Sequence, residues 1–203
     1  MIPNRKIRCA KPRCGDVDRG SYMVPGVLVD PASISILMVS EAAPPDPSDY
    51  FYARGSPLFQ RTTVLAFQDA GADVSTSRDI LRLGVYLTTA VKCGKKAYAI
   101  QNETVDACSH LLEEELALFP NARVVLLMGD VAIRGVNAIA KRSGEPRVIP
   151  WGSTYKLRNG EYSFRGMRAL PSYLQAGPSF FIEKSKRRMI AEDIRSALDA
   201  AGA

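Results

Sequence analysis

Residues 34–39 read ISILMV, a continuous apolar run that is closed by the proline-rich segment AAPPDPSDYFYARGSP at 42–57. Two further runs of the same character are VYLTTAV at 85–91 and RVVLLM at 123–128. Unbroken apolar runs of this length predict strands that are buried on both faces, as in a parallel sheet covered by helices. The fold class predicted from these strands is therefore α/β, a three-layer α/β/α sandwich with a short central parallel sheet.

Segments with helical spacing of apolar residues separate and follow the strands. They predict helices over 61–72 (with Gly71 as a stop), over 102–118, from about Gly129 through Ile133 to Arg142, and over 183–200. A weaker strand-and-turn region occupies 147–169. In such sheets the functional groups collect beyond the carboxyl ends of the strands. The corresponding loops are 40–60, 89–100, 129–134 and 168–176, within a single domain predicted over 1–203.

Composition restricts the classes of protein that fit. The chain has 203 residues, a net charge of +6 and an isoelectric point near 9.2. This positive charge favours polyanions such as nucleic acid, although many basic proteins bind none. No run of 18 apolar residues occurs, so we expect no membrane span. The start, MIPNRKIRC, lacks the apolar segment of a secretory signal, which predicts a cytoplasmic protein.

The four cysteines form two pairs that are far apart in the sequence, Cys9 with Cys14 and Cys93 with Cys108. His110 is the single histidine, so an all-cysteine site for zinc or an iron–sulfur cluster is one use of these thiols. Two disulfides are the other use. The missing secretory signal favours metal. Neither C-x4-C nor C-x14-C is a standard zinc-ribbon spacing.

Four segments together resemble the iron–sulfur branch (family 4) of the uracil-DNA glycosylase superfamily. They are MVPGVLVDPASISILMVSEAAP at 23–44, VYLTTAVKC at 85–93, CSHLLEEELALFPNARVVLLMGDVAIRGV at 108–136 and ALPSYLQAGPSFFIEKSKRRMIAEDI at 169–194. The resemblance covers most of the chain in the family's order and reaches all four cysteines. It implies a DNA glycosylase that acts on damaged or single-stranded DNA, and we expect a monomer.

The resemblance also implies a cofactor. In the family the four cysteines hold a [4Fe–4S] cluster, so the implied ligands are Cys9, Cys14, Cys93 and Cys108, with zinc as the alternative. The first pair has four intervening residues where the family usually has two. The expected role of the cluster is structural, because metal ligation contributes directly to folding free energy.

Catalytic candidates follow from the loop after the first strand. Glu41 stands where the family has the glutamate of G-E-A-P-G, and its expected role is to position water or the sugar near the scissile bond. Asp46 and Asp49 are further candidates for water activation. Each of the three carboxylates has an equally simple structural role, as a cap of nearby amides or as a turn-forming residue.

Base recognition is expected to involve Phe59, Thr89 and Ser172. Phe59 matches the family's stacking phenylalanine, with Phe51 as the weaker candidate, and either ring could simply belong to the core. Thr89 stands where family members read uracil with an asparagine amide. The third loop reads Leu170-Pro171-Ser172 where the family has His-Pro-Ser, so the histidine that stabilises the departing base is missing.

These departures lead to three hypotheses about function. The first is a glycosylase that excises a damaged or deaminated base other than standard uracil. The second is a catalytically weak or inactive protein of the same fold that binds DNA or a modified base. The third is a hydrolase of free nucleotides or nucleosides.

DNA contacts are expected from the last third of the chain. Leu174, with Tyr173, lies in the loop that wedges into DNA in the family. Lys184 and Arg187 belong to a basic run at the start of the last helix that could contact phosphates. Such a run is otherwise a solvated helix face.

Overall fold

The computed structural model describes residues 1–10 and 14–202, and its centre is a five-stranded sheet. In chain order the strands are β1 (Val17–Asp18), β2 (Ile36–Ala42), β3 (Val85–Val91), β4 (Gly94–Lys95), β5 (Val124–Met128), β6 (Tyr162–Phe164) and β7 (Met167–Ser172). The sheet has the order β3-β2-β5-β7-β6. All its neighbours are parallel except β6, which pairs antiparallel with β7. β1 and β4 form a separate antiparallel ribbon.

Six α-helices accompany these strands in the described residues. They are α1 (Leu58–Asp69), α2 (Ser77–Arg82), α3 (Asn102–Leu116), α4 (Asp130–Arg142), α5 (Thr154–Leu157) and α6 (Lys184–Ala201). None of the helices in 1–10 and 14–202 has the length and apolar character needed to cross a bilayer.

The interior strand β2, which lies between β3 and β5, is buried along nearly all its length and contributes to two apolar cores. Leu37 and Val39 pack on one face of the sheet with α3 and α4. Ile36 and Met38 pack on the other face with α1, α2 and α6. Because successive side chains of a strand point to opposite faces, a wholly apolar run is what a covered sheet requires. The predicted three-layer α/β/α fold is confirmed.

The three apolar runs form the three strands that they predict, with shifted ends. β3 has the predicted bounds, whereas β2 begins two residues later than predicted and runs on to Ala42. The strand continues because Ser40 and Ala42 still pair with Thr89 and Val91 of β3. Backbone pairing at the end of β2 therefore includes residues whose sequence predicts a loop.

The region 147–172 differs most from the sequence interpretation. It contains the short helix α5 and the antiparallel hairpin of β6 and β7, and the segment Leu170-Pro171-Ser172 lies in β7 and not in a loop. Leu170 and Ser172 pair with Leu126 and Met128 of β5. The loop predicted over 168–176 thus begins only after Ser172.

Candidate functional site

A cleft of about 650 Å³ lies beyond the carboxyl ends of the parallel strands. Its wall is built by the end of β2, the segment after β4, the N-terminus of α4, the segment after β7 and the start of α6. The lining includes 41–45, 98–100, 129–131, 173–174 and 176–180. This is the position in which open α/β sheets collect ligands, and residues from all four predicted loops line it.

Glu41 is the predicted catalytic carboxylate that lines the cleft. Burial raises its pKa, against the opposing effects of the Lys95 charge, the Val131 N–H and the Arg134 charge. The Val131 N–H belongs to the first turn of α4, where the helix dipole favours a negative charge. Glu41 is therefore a half-buried acid held at a helix N-terminus and faced by two cations.

Gly129 makes this arrangement possible. Its φ is 98°, a conformation that side chains rarely adopt. A Cβ at this position would lie 2.6 Å from Oε1 of Glu41. The absence of a side chain thus allows the carboxylate to approach the N-terminus of α4, a requirement that the sequence reasoning did not identify.

Asp46 and Asp49 have local partners instead. Asp46 is exposed and its Oδ1 accepts from the Ser48 N–H at 2.8 Å, which caps the 3-10 helix Pro47–Asp49. Oδ1 of Asp49 accepts from the Leu58 N–H at 3.1 Å, at the start of α1. Neither is among the described residues that line the cleft. Both have the geometry of turn and helix caps.

Phe59 lines the cleft from the first turn of α1. Its ring packs against Phe51, with centroids 5.3 Å apart and planes tilted by 56°. Phe51 itself is fully buried and does not line the cleft. Of the two aromatic candidates, Phe59 is the one whose ring borders the cavity.

Thr89 and Leu170 are both buried, and neither is among the described residues that line the cleft. Oγ1 of Thr89 has no hydrogen-bond partner among the described residues. Leu170 packs into the core beneath α6. The positions that match the family's base reader and charge stabiliser are thus occupied by interior residues.

Ser172 is also interior, and its hydroxyl donates to Oδ2 of Asp193 in α6 at 2.5 Å. Arg158 pairs with the other oxygen of Asp193 at 2.8 Å. Burial raises the pKa of Asp193, and the bonds from Arg158 and Ser172 oppose that rise. This chain of contacts ties the end of β7 to α6 and α5, and Asp193 was not identified from the sequence because its partners are distant in the chain.

The expected DNA-contact residues divide into two groups. Leu174, Tyr173 and Arg187 all line the cleft and are half-buried. The Arg187 guanidinium pairs with both carboxylate oxygens of Asp69. Lys184 is exposed at the first position of α6 and does not line the cleft. The cleft therefore brings Leu174 and Arg187 together, and Lys184 lies outside it.

A buried ion pair lies beneath this region. The ammonium of Lys92 contacts the Glu115 carboxylate, and both side chains are 0% exposed. Glu115 also accepts from Tyr86 Oη at 2.7 Å and from Thr88 Oγ1 at 3.0 Å. Lys92 directly precedes Cys93, so the network joins β3, α3 and the cysteine segment. The sequence placed Lys92 in a loop and did not pair it with Glu115.

None of the four cysteines, all of which lie in the described residues, forms a disulfide. Cys93 and Cys108 are buried in one apolar core, and Cys14 packs against it. Burial, together with the charges of Cys108, Cys9 and Cys14, raises the pKa of Cys93 to about 12. The four thiols are therefore close enough to affect one another, although no three Cys, His, Asp or Glu side chains among the described residues are arranged to hold a single metal ion.

The donor set consists of four thiols, which is the ligand chemistry of an iron–sulfur cluster and also of a structural zinc ion. The β1–β4 ribbon joins the segment after Cys14 to the segment after Cys93.

The chain is similar to known proteins. A family model described as the uracil DNA glycosylase superfamily matches residues 30–192. A type-5 uracil-DNA glycosylase of Thermus thermophilus is 31% identical over 127 residues, which are 61% of this chain and 54% of the relative. The chain thus matches about half the length of this curated relative.

A solved structure, the wild-type UNG of Nitratifractor salsuginis, aligns over 85% of this chain and 80% of its own. The TM-score is 0.40 and the identity is 14%.

Proposed function

We propose that this chain, which belongs to the uracil-DNA glycosylase superfamily, hydrolyses the N-glycosidic bond of a damaged or deaminated base in DNA. The observation that carries the proposal is the position of Glu41. Its carboxylate lines a cleft at the carboxyl ends of the strands, beside a helix N-terminus and two cations. A polar acid in such a cleft, with a pKa changed by its surroundings, is characteristic of a reaction centre.

In this reaction water adds to C1′ of the deoxyribose and the base departs, leaving an abasic site. Glu41 is proposed to hold that water and to accept its proton as the bond to C1′ forms. Its raised pKa makes the carboxylate a stronger base than an exposed glutamate. The departing base takes up a proton when it is released as the free base.

The negative charge that develops on the base needs a partner in place of the family's histidine. Lys95 lines the cleft and acts electrostatically on Glu41, as does Arg134. We assign the stabilisation of the departing base to Lys95, since Arg134 is already paired with Asp130 at 2.7 Å. A preorganised cation is worth most where water is excluded.

The proposed specificity is for a base other than standard uracil. The buried positions of Thr89 and Leu170 support this, because neither side chain borders the cleft in which a flipped base would sit. Phe59 is the proposed stacking residue. The same observation favours the second candidate function, a glycosylase-fold protein that binds DNA or a modified base without cleaving it.

The cofactor proposed is a [4Fe–4S] cluster held by Cys9, Cys14, Cys93 and Cys108. The converging thiols support it. When bound, the cluster would cross-link the N-terminal segment to β3 and α3 and so contribute folding free energy. Cys93→Ser and Cys108→Ser are expected to lose iron and the brown colour after anaerobic preparation, whereas Ser109→Ala is the matched control on α3. A protein that holds one zinc and no iron would overturn the cluster.

The excision test uses DNA with uracil, hypoxanthine or xanthine, followed by alkali to cut abasic sites. The parent is expected to cut at least one substrate, and Glu41→Gln is expected to lose most of that activity with unchanged DNA affinity. Asp46→Asn is the control and should keep the activity, because Asp46 caps an exposed turn. Salt-sensitive DNA binding without scission of any substrate would refute the proposed glycosylase activity. It would favour the second candidate function, a protein that binds DNA without cleaving it.

A further inference from the structure

Aromatic rings paired with cations surround the cleft. Lys95 Nζ lies 5.6 Å from the ring centroid of Tyr98, and Lys186 Nζ lies 5.4 Å from that of Tyr173. A third pair, Arg187 with Phe180, also lines the wall. A fourth pair lies in the loop that reaches the cleft at Thr154, where the Arg147 guanidinium is 3.8 Å from the Trp151 ring centroid.

In two of these four pairs the cation has no carboxylate partner among the described residues, and the ring is more exposed than in the other two. Lys186 is paired with Glu183, and Arg187 is paired with Asp69. Lys95 and Arg147 have no carboxylate within salt-bridge distance in the described part of the chain. Their rings are also the most exposed aromatics there, since Tyr98 is 96% exposed and Trp151 is 83% exposed.

Burial of these exposed rings by a partner would remove apolar surface from water, which is favourable in free energy. The unpaired cation beside each ring favours a partner with negative charge. Bases that stack on rings while phosphates meet cations are the chemistry of single-stranded nucleic acid. In duplex DNA the base faces are covered by their neighbours and cannot stack on a protein ring.

We propose that the pairs Tyr98–Lys95 and Trp151–Arg147 are two stacking platforms for single-stranded DNA, the first on the wall of the cleft and the second in the segment before Thr154. Each ring takes the face of one base. The Arg147 guanidinium neutralises an adjacent phosphate, and the Lys95 ammonium stabilises the departing base. The inference rests on the proposed function for its partner, DNA, but it does not need any base to be excised.

Binding is measured with a labelled, unmodified oligothymidine by fluorescence anisotropy. Trp151 is the single tryptophan of the chain, so quenching of its emission reports stacking directly. Tyr98→Ala and Trp151→Ala are each expected to weaken binding roughly 5- to 100-fold, which corresponds to the loss of one base stack. Leu28→Ala is the control, because Leu28 is 72% exposed and does not line the cleft.

The phosphate contact is tested by salt dependence. Arg147→Ala should lower the slope of log K against log salt by about 0.7, the value for one phosphate contact on a single strand. Trp151→Phe should restore most of the affinity that Trp151→Ala loses. These outcomes distinguish stacking and phosphate contact from a loss of folding, which circular dichroism monitors in parallel.

Four results would overturn the inference. They are unquenched tryptophan emission at saturating oligonucleotide, equal affinity of the alanine variants and the parent, tighter binding of fully paired duplex, and a change of sedimentation from dimer to monomer in Trp151→Ala. A change from dimer to monomer would mean that the Trp151 ring contacts a second copy of the chain and not DNA. Quenching without excision of any base would refute the proposed reaction and leave the platforms in place.

Discussion

Replacement of Glu115 by glutamine is expected to be one of the most destabilising conservative changes in the chain. The side chain keeps its shape and can still accept from Tyr86 Oη and Thr88 Oγ1, which now lie at 2.7 and 3.0 Å. The Lys92 ammonium, however, loses the one carboxylate that pairs with it in the described residues, while it stays 0% exposed. An ammonium left in the interior with neutral acceptors alone is strongly disfavoured.

The magnitude follows from the burial of both partners. Breaking a buried ion pair by removing one partner costs about 3–5 kcal/mol. For a chain of this size about 1 kcal/mol corresponds to roughly 2–4 °C in Tm, so Glu115→Gln should lower Tm by roughly 6–20 °C. The double variant Lys92→Met/Glu115→Gln has no buried charge and should recover about 2 kcal/mol or more relative to Glu115→Gln.

The assay is urea unfolding followed by circular dichroism, on samples with matched iron content because Lys92 precedes Cys93. Glu183→Gln is the control, since its pair with Lys186 is exposed and should contribute less than about 1 kcal/mol. The reasoning is refuted if Glu115→Gln costs less than about 1 kcal/mol. It is equally refuted if the double variant is no more stable than Glu115→Gln.

Three further outcomes are expected. Gly129→Ala would place a Cβ 2.6 Å from Glu41 Oε1 at a φ of 98°, so it should cost about 1–3 kcal/mol in urea unfolding and reduce excision; parental excision would contradict the packing argument. Burial raises the pKa of Glu41, so the folded state binds its proton more tightly than the unfolded state, and the unfolding free energy falls as pH rises above the unfolded value of about 4.3. Glu41→Gln should therefore be more stable than the parent at pH 8 and lose that advantage near pH 4. Thermal unfolding measures the difference in stability, and a difference that does not change with pH would contradict a raised pKa of Glu41. Ser172→Ala leaves Asp193 without one donor and should cost about 1–3 kcal/mol by the same urea assay, and an unchanged unfolding free energy would contradict this.

The sheet and its covering helices follow closely from the sequence. Burial of β2, β3 and β5 on both faces requires continuous apolar runs, and such runs can be recognised without knowing their neighbours. The hairpin of β6 and β7 was predicted only as a weak strand-and-turn region over 147–169, because β6 has three residues and both strands begin with partly exposed residues. The helix α2 was also missed, although Thr76 and Asp79 form a capping box at its start.

The candidate site could be predicted only in part. The carboxyl end of β2 placed Glu41 on the rim of the cleft, since that position follows from strand direction. Asp46 and Asp49 lie in the same loop, yet their carboxylates are used by amides nearby in the chain. All three are carboxylates within the loop predicted over 40–60, and the structure distinguishes them by placing Glu41 at the end of β2 and by the local hydrogen bonds of the two aspartates.

By itself the sequence determined the layers of the fold, the superfamily resemblance and the set of four cysteines, because each depends on residue type and order along the chain. Tertiary structure alone decided which groups meet. It joins Lys92 to Glu115 across 23 residues and Ser172 to Asp193 across 21. It also places Glu41 at the N-terminus of α4 and leaves Tyr98 and Trp151 exposed. Contacts between distant segments depend on how the elements pack, and packing leaves no periodic signal in the sequence.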